Sequence, residues 1–177
     1  YLNKIDHAMS GLGYEMVRYA DDFVILCFTE EEAKNALAEV KARIEERGLT
    51  LHPEKTRIVD ASIEGGFDFL GYHFERNTRW PRKKSMDKLK DSVRQKTKRS
   101  SGHSMSSVIK ELNRSLRGWF EYFRHSQKSV FVKTDRWIRM RLRSILRRRQ
   151  GRKGRGRGFD HLKWPVDRKI EVTPLVI

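Results

Sequence analysis

The chain has a single cysteine, Cys27, among its 177 residues. One thiol excludes an internal disulfide and any zinc site built from several cysteines. The sequence also lacks an apolar run near the length of a membrane span and lacks a segment typical of a secretory signal. These absences exclude disulfide-rich and membrane-spanning classes. The chain begins with Tyr1 rather than Met, so we expect a piece of a longer protein.

Acidic residues are scarce in the second half of the chain. Residues 1–81 hold 10 Lys and Arg against 15 Asp and Glu, whereas residues 82–157 hold 26 basic and 5 acidic residues. The whole chain carries a net charge of +16, which indicates a polyanionic partner. We therefore predict three parts, residues 1–81, residues 82–150 and a basic Gly/Arg segment with a tail at 151–177.

Two adjacent carboxylates, Asp21 and Asp22, stand between two apolar runs at 16–19 and 23–28. The flanks are rich in β-branched and aromatic residues, so the pattern predicts a hairpin with the acidic pair at its tip. Carboxylates at such a tip could bind a hard cation such as Mg²⁺. The dipeptide alone favours the alternative, a solvated turn that happens to contain two Asp residues.

Apolar residues at helical spacing predict five helices, near residues 1–12, 29–48, 85–98, 104–125 and 130–150. Thr29 and Glu32 form a capping-box pattern at the start of the second helix, and Ser85 is a predicted cap of the third. We predict short strands at 49–51, at 56–59 and on both sides of Gly71. Residues 76–81 are interpreted as a linker.

The last predicted helix carries arginines at intervals of three and four residues, which would form a ridge of one charge sign without Glu partners. Such a ridge repels itself and favours a polyanion ligand. The following stretch, Gly151–Gly158, is expected to be too polar to pack against a core. Trp164, Val172 and Leu175 could dock back as an extended tail.

Four segments resemble one known family in the order of its motifs: Arg18–Leu26, Leu49–Thr56, Phe67–Tyr72 and Leu112–Phe123. The first resembles the catalytic hairpin of reverse transcriptases, in particular those encoded by group II introns. The second and third resemble the next palm motif and the primer-grip hairpin, and the fourth resembles the maturase-specific region. The resemblance implies an α+β fold in which part of a palm precedes a helical thumb and maturase bundle.

The resemblance also implies residue roles. Asp21 and Asp22 would bind Mg²⁺, Tyr19 and Ala20 would shape the turn, and Lys55 would assist the leaving pyrophosphate. Phe69, Leu70 and Gly71 would seat a DNA primer, with dNTP as the substrate. The residues expected to contact group II intron RNA are Arg117, Arg136, Arg139, Arg143, Arg147, Arg152, Lys153 and Arg155.

Three functions therefore compete: RNA-directed DNA synthesis, RNA binding that promotes splicing without chemistry, and basic RNA binding with an accidental Asp-Asp turn. The four ordered motifs favour the first two, which family members combine. The fingers and the first catalytic Asp of the family are not among these residues, so we expect no polymerisation by this chain alone. The resemblance implies a bacterial cytoplasmic protein, with an organellar origin left open.

Overall fold

The computed structural model describes residues 2–156 and 158–164. They form two units, Tyr1–Phe69 and Leu70–Ile177, and the α+β class predicted from the sequence is confirmed. The elements follow in the order α1 (Asn3–Gly11), β1 (Glu15–Tyr19), β2 (Asp22–Leu26), α2 (Glu30–Glu45), β3 (Phe67–Phe69), β4 (Tyr72–Glu75), β5 (Thr78–Pro81), α3 (Lys83–Lys96), α4 (Met105–Phe123), α5 (Lys128–Arg149) and α6 (Asp160–Lys163).

The first unit packs two helices against one face of a hairpin. Strands β1 and β2 are antiparallel, with Val17 opposite Val24 and Tyr19 opposite Asp22. Because side chains alternate along a strand, one face of the hairpin covers the helices. The buried core consists of Ile5, Met9, Ala36, Val40 and Ile44, with Met16, Phe23 and Ile25 of the hairpin packed against it.

Helix α2 begins and ends where the sequence predicted. The amide of Glu32 donates to Thr29 Oγ1 at 3.1 Å, and the Glu32 carboxylate accepts from the amide of Phe28 at 2.7 Å. The two bonds satisfy donors at the helix start. At the other end the amide of Leu49 donates to the carbonyl of Ile44 at 3.2 Å.

The strands predicted at 49–51 and 56–59 were wrong. Both stretches are irregular, with a turn between them at residues 53–55. The amide of Leu49 donates to the carbonyl of Ile44 at the end of α2 and is therefore not available to a strand. The amides of Lys55 and Thr56 both donate to the carbonyl of His52, at 3.1 and 3.0 Å. Local bonds thus replace a strand ladder, which the leucine alternation could not reveal.

The second unit is a helical bundle with a hairpin at one end. Helices α3, α4 and α5 share a buried core of aliphatic and aromatic residues: Leu89, Val93, Val108, Leu112, Leu116, Phe131, Ile138, Leu142 and Ile145. Trp119 and Phe120 pack against this cluster and are partly buried, as the periodicity of α4 predicted. Three helices therefore supply one continuous apolar interior.

Residues 78–81, interpreted as a linker, form strand β5 instead. Strand β5 is antiparallel to β4, with His73 opposite Trp80 and Tyr72 opposite Pro81. Pro81 is buried and tolerated at the strand end, since proline cannot donate to a ladder. The division between units consequently falls between Phe69 and Leu70, before the boundary suggested by composition at residue 81.

Two of the predicted helix starts differ in outcome. The start of α4 near residue 104 is confirmed, and Ser104 is its cap, because its Oγ accepts from the amide of Ser107 at 3.2 Å. The predicted cap Ser85 lies inside α3, whose N-cap is Arg82, and Ser85 Oγ donates to the carbonyl of Gly71 at 3.0 Å.

Val172 and Leu175, which were predicted to dock as part of the tail, lie outside the described residues. In the part of the chain that the structure describes, no helix is long and apolar enough to cross a membrane.

Candidate active-site hairpin and nucleic-acid interface

The acidic pair lies at the tip of the β1–β2 hairpin. Tyr19 pairs with Asp22, so only Ala20 and Asp21 form the turn. Ala20 has φ of +53°, a left-handed conformation that is uncommon for a residue with a side chain. Asp21 and Asp22 are both exposed, and so is the Tyr19 ring, at 68%. The turn therefore presents two carboxylates and one aromatic ring to solvent.

Arg18 connects this turn to helix α1. Its Nε donates to Asp6 Oδ1 at 2.8 Å, its Nη2 donates to Asp6 Oδ2 at 2.5 Å, and its Nη1 donates to the carbonyl of Ala20 at 2.9 Å. The hydrogen bonds from Arg18 hold the pKa of Asp6 below its usual range. A planar guanidinium suits such a bidentate bond, and Arg18 uses its remaining nitrogen to hold the strained turn. The sequence did not reveal this pair, because its members are twelve residues apart.

The acidic turn fits part of a divalent-metal site. Carboxylate oxygens are ligands that Mg²⁺ prefers, and both side chains are accessible. Among residues 2–156 and 158–164, no group of three or more His, Cys, Asp or Glu side chains could hold a metal ion. Lys55 is exposed, in the turn that follows His52. The hairpin thus offers two exposed carboxylates, and its fit to a metal rests on them.

The loop predicted to seat a primer has an unusual backbone. Phe69 ends β3 and is half-buried, and the next two residues, Leu70 and Gly71, have φ of +46° and +83°. The hydroxyl of Tyr122 donates to the carbonyl of Leu70 at 2.7 Å. A Cβ on Gly71 would lie 3.5 Å from the Phe123 ring. The sequence suggested the loop but not its contact with α4.

The predicted arginine ridge on α5 has acidic partners, so the expectation that it has none was wrong. Arg139 pairs with Asp135 one turn earlier, with Nε and Oδ2 2.7 Å apart. Arg147 pairs with Asp160 at 2.9 Å, and the Asp160 side chain is only 6% exposed. The Asp135 pair follows helical spacing and could have been read from the sequence. Asp160 could not, because it reaches α5 from beyond the helix end.

The remaining predicted RNA contacts differ in accessibility. Arg117 and Arg136 are exposed on α4 and α5, whereas Arg143 is partly buried and its Nε donates to the carbonyl of Trp164 at 3.4 Å. The side chains of Arg152, Lys153 and Arg155 are exposed. Arg117 and Arg136 are therefore the helical arginines of the predicted set that are exposed to a ligand.

The Gly/Arg segment packs against α5, which contradicts the expectation that it could not pack. The amide of Gly156 donates to Ser144 Oγ at 2.9 Å, and Arg147 Nε donates to the carbonyl of Lys153 at 2.8 Å. A Cβ on Gly156 would lie 2.5 Å from Arg143 Cβ and 2.9 Å from helix backbone. Because Gly156 has no side chain, the backbone of the segment can approach α5 closely.

An open pocket of about 490 Å³ lies where α3 is connected to α4. Its lining includes two lysines, a serine-rich loop and one carboxylate: Lys96, Lys98, Ser100, Ser101, His103 and Glu111. Arg149 donates to the carbonyl of His103 and ties the loop to the end of α5. The pocket is polar and rich in hydrogen-bond donors, which suits a phosphodiester backbone.

A hairpin that presents two carboxylates and a helical bundle covered with cations define a protein that acts on nucleic acid. Residues 1–74 match the family described as reverse transcriptase (RNA-dependent DNA polymerase). Residues 86–164 match the group II intron maturase-specific domain. A search of curated proteins found no match. Together the two matched regions are consistent with a group II intron reverse transcriptase/maturase sequence. This family uses divalent metal ions and nucleic-acid partners.

Proposed function

We propose that this protein carries the metal-binding hairpin of an RNA-directed DNA polymerase together with a domain that binds group II intron RNA during splicing. The single observation that carries the polymerase part is the turn at residues 19–22, where Asp21 and Asp22 are exposed and Arg18 holds the backbone of Ala20. A solvated turn would not require such a buttress.

In the proposed reaction the 3′-hydroxyl of a DNA primer attacks the α-phosphorus of a dNTP. A new P–O bond forms, the bond between the α-phosphorus and the oxygen that bridges to the β-phosphate breaks, pyrophosphate leaves with the bonding electrons, and the hydroxyl proton passes to solvent. Asp21 and Asp22 would hold Mg²⁺, which would stabilise the charge that develops on the reacting oxygens. Lys55 would neutralise the pyrophosphate. The exposed Tyr19 ring and the turn at Ala20 would lie beside the primer end.

The second activity is supported by the basic helical unit. Residues 82–157 hold 26 basic and 5 acidic residues, and exposed cations occur on α3, α4 and α5, among them Lys88, Arg117 and Arg136. We propose that these side chains, with the exposed Arg152, Lys153 and Arg155, contact the phosphates of intron RNA. RNA binding without chemistry is the competing function, and metal binding at the hairpin separates the two.

Paramagnetic Mn²⁺ tests the metal site on the chain itself. We expect Mn²⁺ to broaden NMR resonances around Asp21 selectively, and we expect Asp21→Asn to remove this effect because a carboxylate ligand is removed. Asp60→Asn is the matched control, since Asp60 is exposed in a loop of the same unit. Equal broadening around Asp60 and Asp21 would mean adventitious binding, and only the RNA-binding function would then stand.

Primer extension tests the chemistry. The assay compares this chain with a longer version that joins it to fingers and to the palm segment carrying the family's first catalytic Asp, on a primed RNA template with Mg²⁺. We expect extension from the longer version alone and a complete loss with Asp21→Asn. Extension that persists in Asp21→Asn would contradict the catalytic assignment.

A further inference from the structure

The Leu70–Gly71 loop is held by groups outside it. The carbonyl of Leu70 accepts the hydroxyl of Tyr122 at 2.7 Å. The carbonyl of Gly71 accepts the amide of Arg82 at 2.9 Å and the hydroxyl of Ser85 at 3.0 Å. Both loop carbonyls therefore have fixed directions. Leu70 has a left-handed backbone although it carries a side chain, a conformation that persists only when the surroundings enforce it.

Tyr122 and Tyr72 bond each other's segments reciprocally. The hydroxyl of Tyr72 donates to the carbonyl of Tyr122 at 2.5 Å, and the two rings stack with centroids 6.1 Å apart. The carbonyl of Tyr122 lies in the last turn of α4, where main-chain acceptors have no partner within the helix. Tyr72 thus caps α4, while Tyr122 holds the loop that precedes Tyr72.

The Tyr122 ring is accessible although it makes these contacts. Its side chain is on the exposed side of α4, with 55% of the residue open to solvent. The neighbouring Phe123 is buried, and its ring lies next to Gly71. Burial raises the pKa of Tyr72, so its phenol remains a proton donor at neutral pH. The two tyrosines therefore differ in exposure, since Tyr72 is partly buried and Tyr122 is at the surface.

We propose that Tyr122 is a positioning residue for primer binding, contributed by the maturase-specific helix, and that with Tyr72 it forms a tyrosine clasp that fixes the Leu70–Gly71 loop. This inference rests on the proposed function, in which that loop seats the primer. It assigns part of the polymerase site to a residue of α4. A substitution in the maturase-specific region would then alter how the primer end is held without touching a catalytic carboxylate.

The test uses Tyr122→Phe, which keeps the ring and removes the hydroxyl. The first probe is a DNA primer annealed to an RNA template, with 2-aminopurine at the primer 3′ terminus and a dye at the distal end. Dye anisotropy reports overall affinity, and 2-aminopurine emission reports the surroundings of the terminal nucleotide. The second probe is a single-stranded RNA with the same distal dye.

For wild type we expect quenched 2-aminopurine emission and tighter binding of the hybrid. Tyr122→Phe should weaken hybrid binding by about 3- to 10-fold, the effect of one neutral hydrogen bond, and should change the 2-aminopurine signal. Affinity for single-stranded RNA should stay within about twofold, since the exposed cations are unchanged. Tyr72→Phe should act in the same direction, and the double variant should lose less than the product of the two single losses, because the two hydroxyls join the same two segments of chain.

Tyr14→Phe is the matched control, since it removes a phenol from the other unit. It should change neither probe. Thermal unfolding accompanies each measurement. If Tyr122→Phe weakens both probes equally in proportion to its loss of stability, Tyr122 is a structural residue and the proposal is overturned. Suppose that the wild type binds the hybrid more tightly than single-stranded RNA. Unchanged hybrid binding and 2-aminopurine emission in Tyr122→Phe would then overturn the clasp alone. Equal affinity of the wild type for the hybrid and for single-stranded RNA would overturn the primer site itself.

Discussion

The two units expose their charged residues in opposite ways. In the first unit Asp21 and Asp22 are exposed at a turn, and the supporting arginine bonds a carboxylate elsewhere. In the second unit Arg139 and Arg147 are paired with Asp135 and Asp160. The carboxylates that a metal would need are available. Two of the arginines that RNA would need are already occupied.

This difference shows that a run of like charges does not by itself indicate a binding face. Asp160 replaces the phosphate that Arg147 was expected to bind, since carboxylate and phosphate oxygens accept from a guanidinium in similar geometry. Arg117 and Arg136 remain exposed. The comparison therefore separates two kinds of cation in one bundle, those that are paired with a carboxylate and those that are open to a ligand.

Asp160→Asn gives the largest expected effect on this comparison. The variant leaves Arg147 without its buried anion, and losing hydrogen bonds to a charged group costs about 2–3 kcal/mol. We expect the amide of Gly156 to exchange much faster with deuterium, because the segment around it is held by this pair. Freed Arg147 should also steepen the slope of log affinity for RNA against log salt, by about 0.7 to 0.9 if it then reaches a phosphate.

Asp87→Asn is the control for that prediction, because it removes the same charge from an exposed position on α3. It should leave Gly156 exchange unchanged. Equal effects of the two variants on the salt slope would mean that net charge alone governs RNA binding. The distinction between paired and open arginines would then have no consequence for function.

Gly156→Ala gives the next effect. Its Cβ would lie 2.5 Å from Arg143 Cβ and 2.9 Å from the backbone of α5, so the segment must move. Overpacking of this kind costs about 1–3 kcal/mol, measured as a lower free energy of unfolding and a loss of Gly156 amide protection. Gly102→Ala has open space around the new Cβ and should change neither. Unaltered stability and protection in Gly156→Ala would show that the segment does not dock on α5.

The sequence predicted the features that depend on neighbours along the chain. The turn at 19–22, the cap of α2 by Thr29 and the apolar stripe of α4 follow from local spacing. The Arg147–Asp160 and Arg18–Asp6 pairs did not, because each joins residues 12 or 13 positions apart on different elements. Strand β5 was missed because Thr78–Pro81 contains a proline and follows turn residues, and pairing with β4 outweighed local preference.

A smaller effect on RNA binding is expected from the two exposed arginines of the helices. Replacing Arg117 and Arg136 by Gln keeps helix propensity and removes two exposed cations. We expect the salt slope to flatten by about 0.7 to 0.9 for each RNA phosphate that is no longer neutralised. Arg139→Gln should leave the slope nearly unchanged, since Arg139 is bonded to Asp135. A larger change from Arg139→Gln than from the two exposed arginines would mean that Arg139 contacts RNA phosphates despite its bond to Asp135, and the distinction between paired and open arginines would fail.

The smallest effect concerns the buttress of the acidic turn. Hydrogen bonds from Arg18 lower the pKa of Asp6, so the folded state binds its proton less readily than the unfolded chain. The stability from this pair is therefore fully present above the unfolded carboxyl pKa, about 3.9, and is lost as pH falls through the lower folded pKa. Because the Asp6 and Arg18 side chains are 29% and 23% exposed, solvent screening keeps the gain in stability small. Urea unfolding of wild type and Asp6→Asn from pH 7 to pH 2 should show a constant gap above pH ~5 that closes in acid. The Mn²⁺ broadening at Asp21 should weaken in Asp6→Asn as well, since Arg18 then holds the turn less firmly. A gap that persists to pH 2 would mean that the carboxylate charge does not stabilise the fold, and the pair would lose its role in holding the turn.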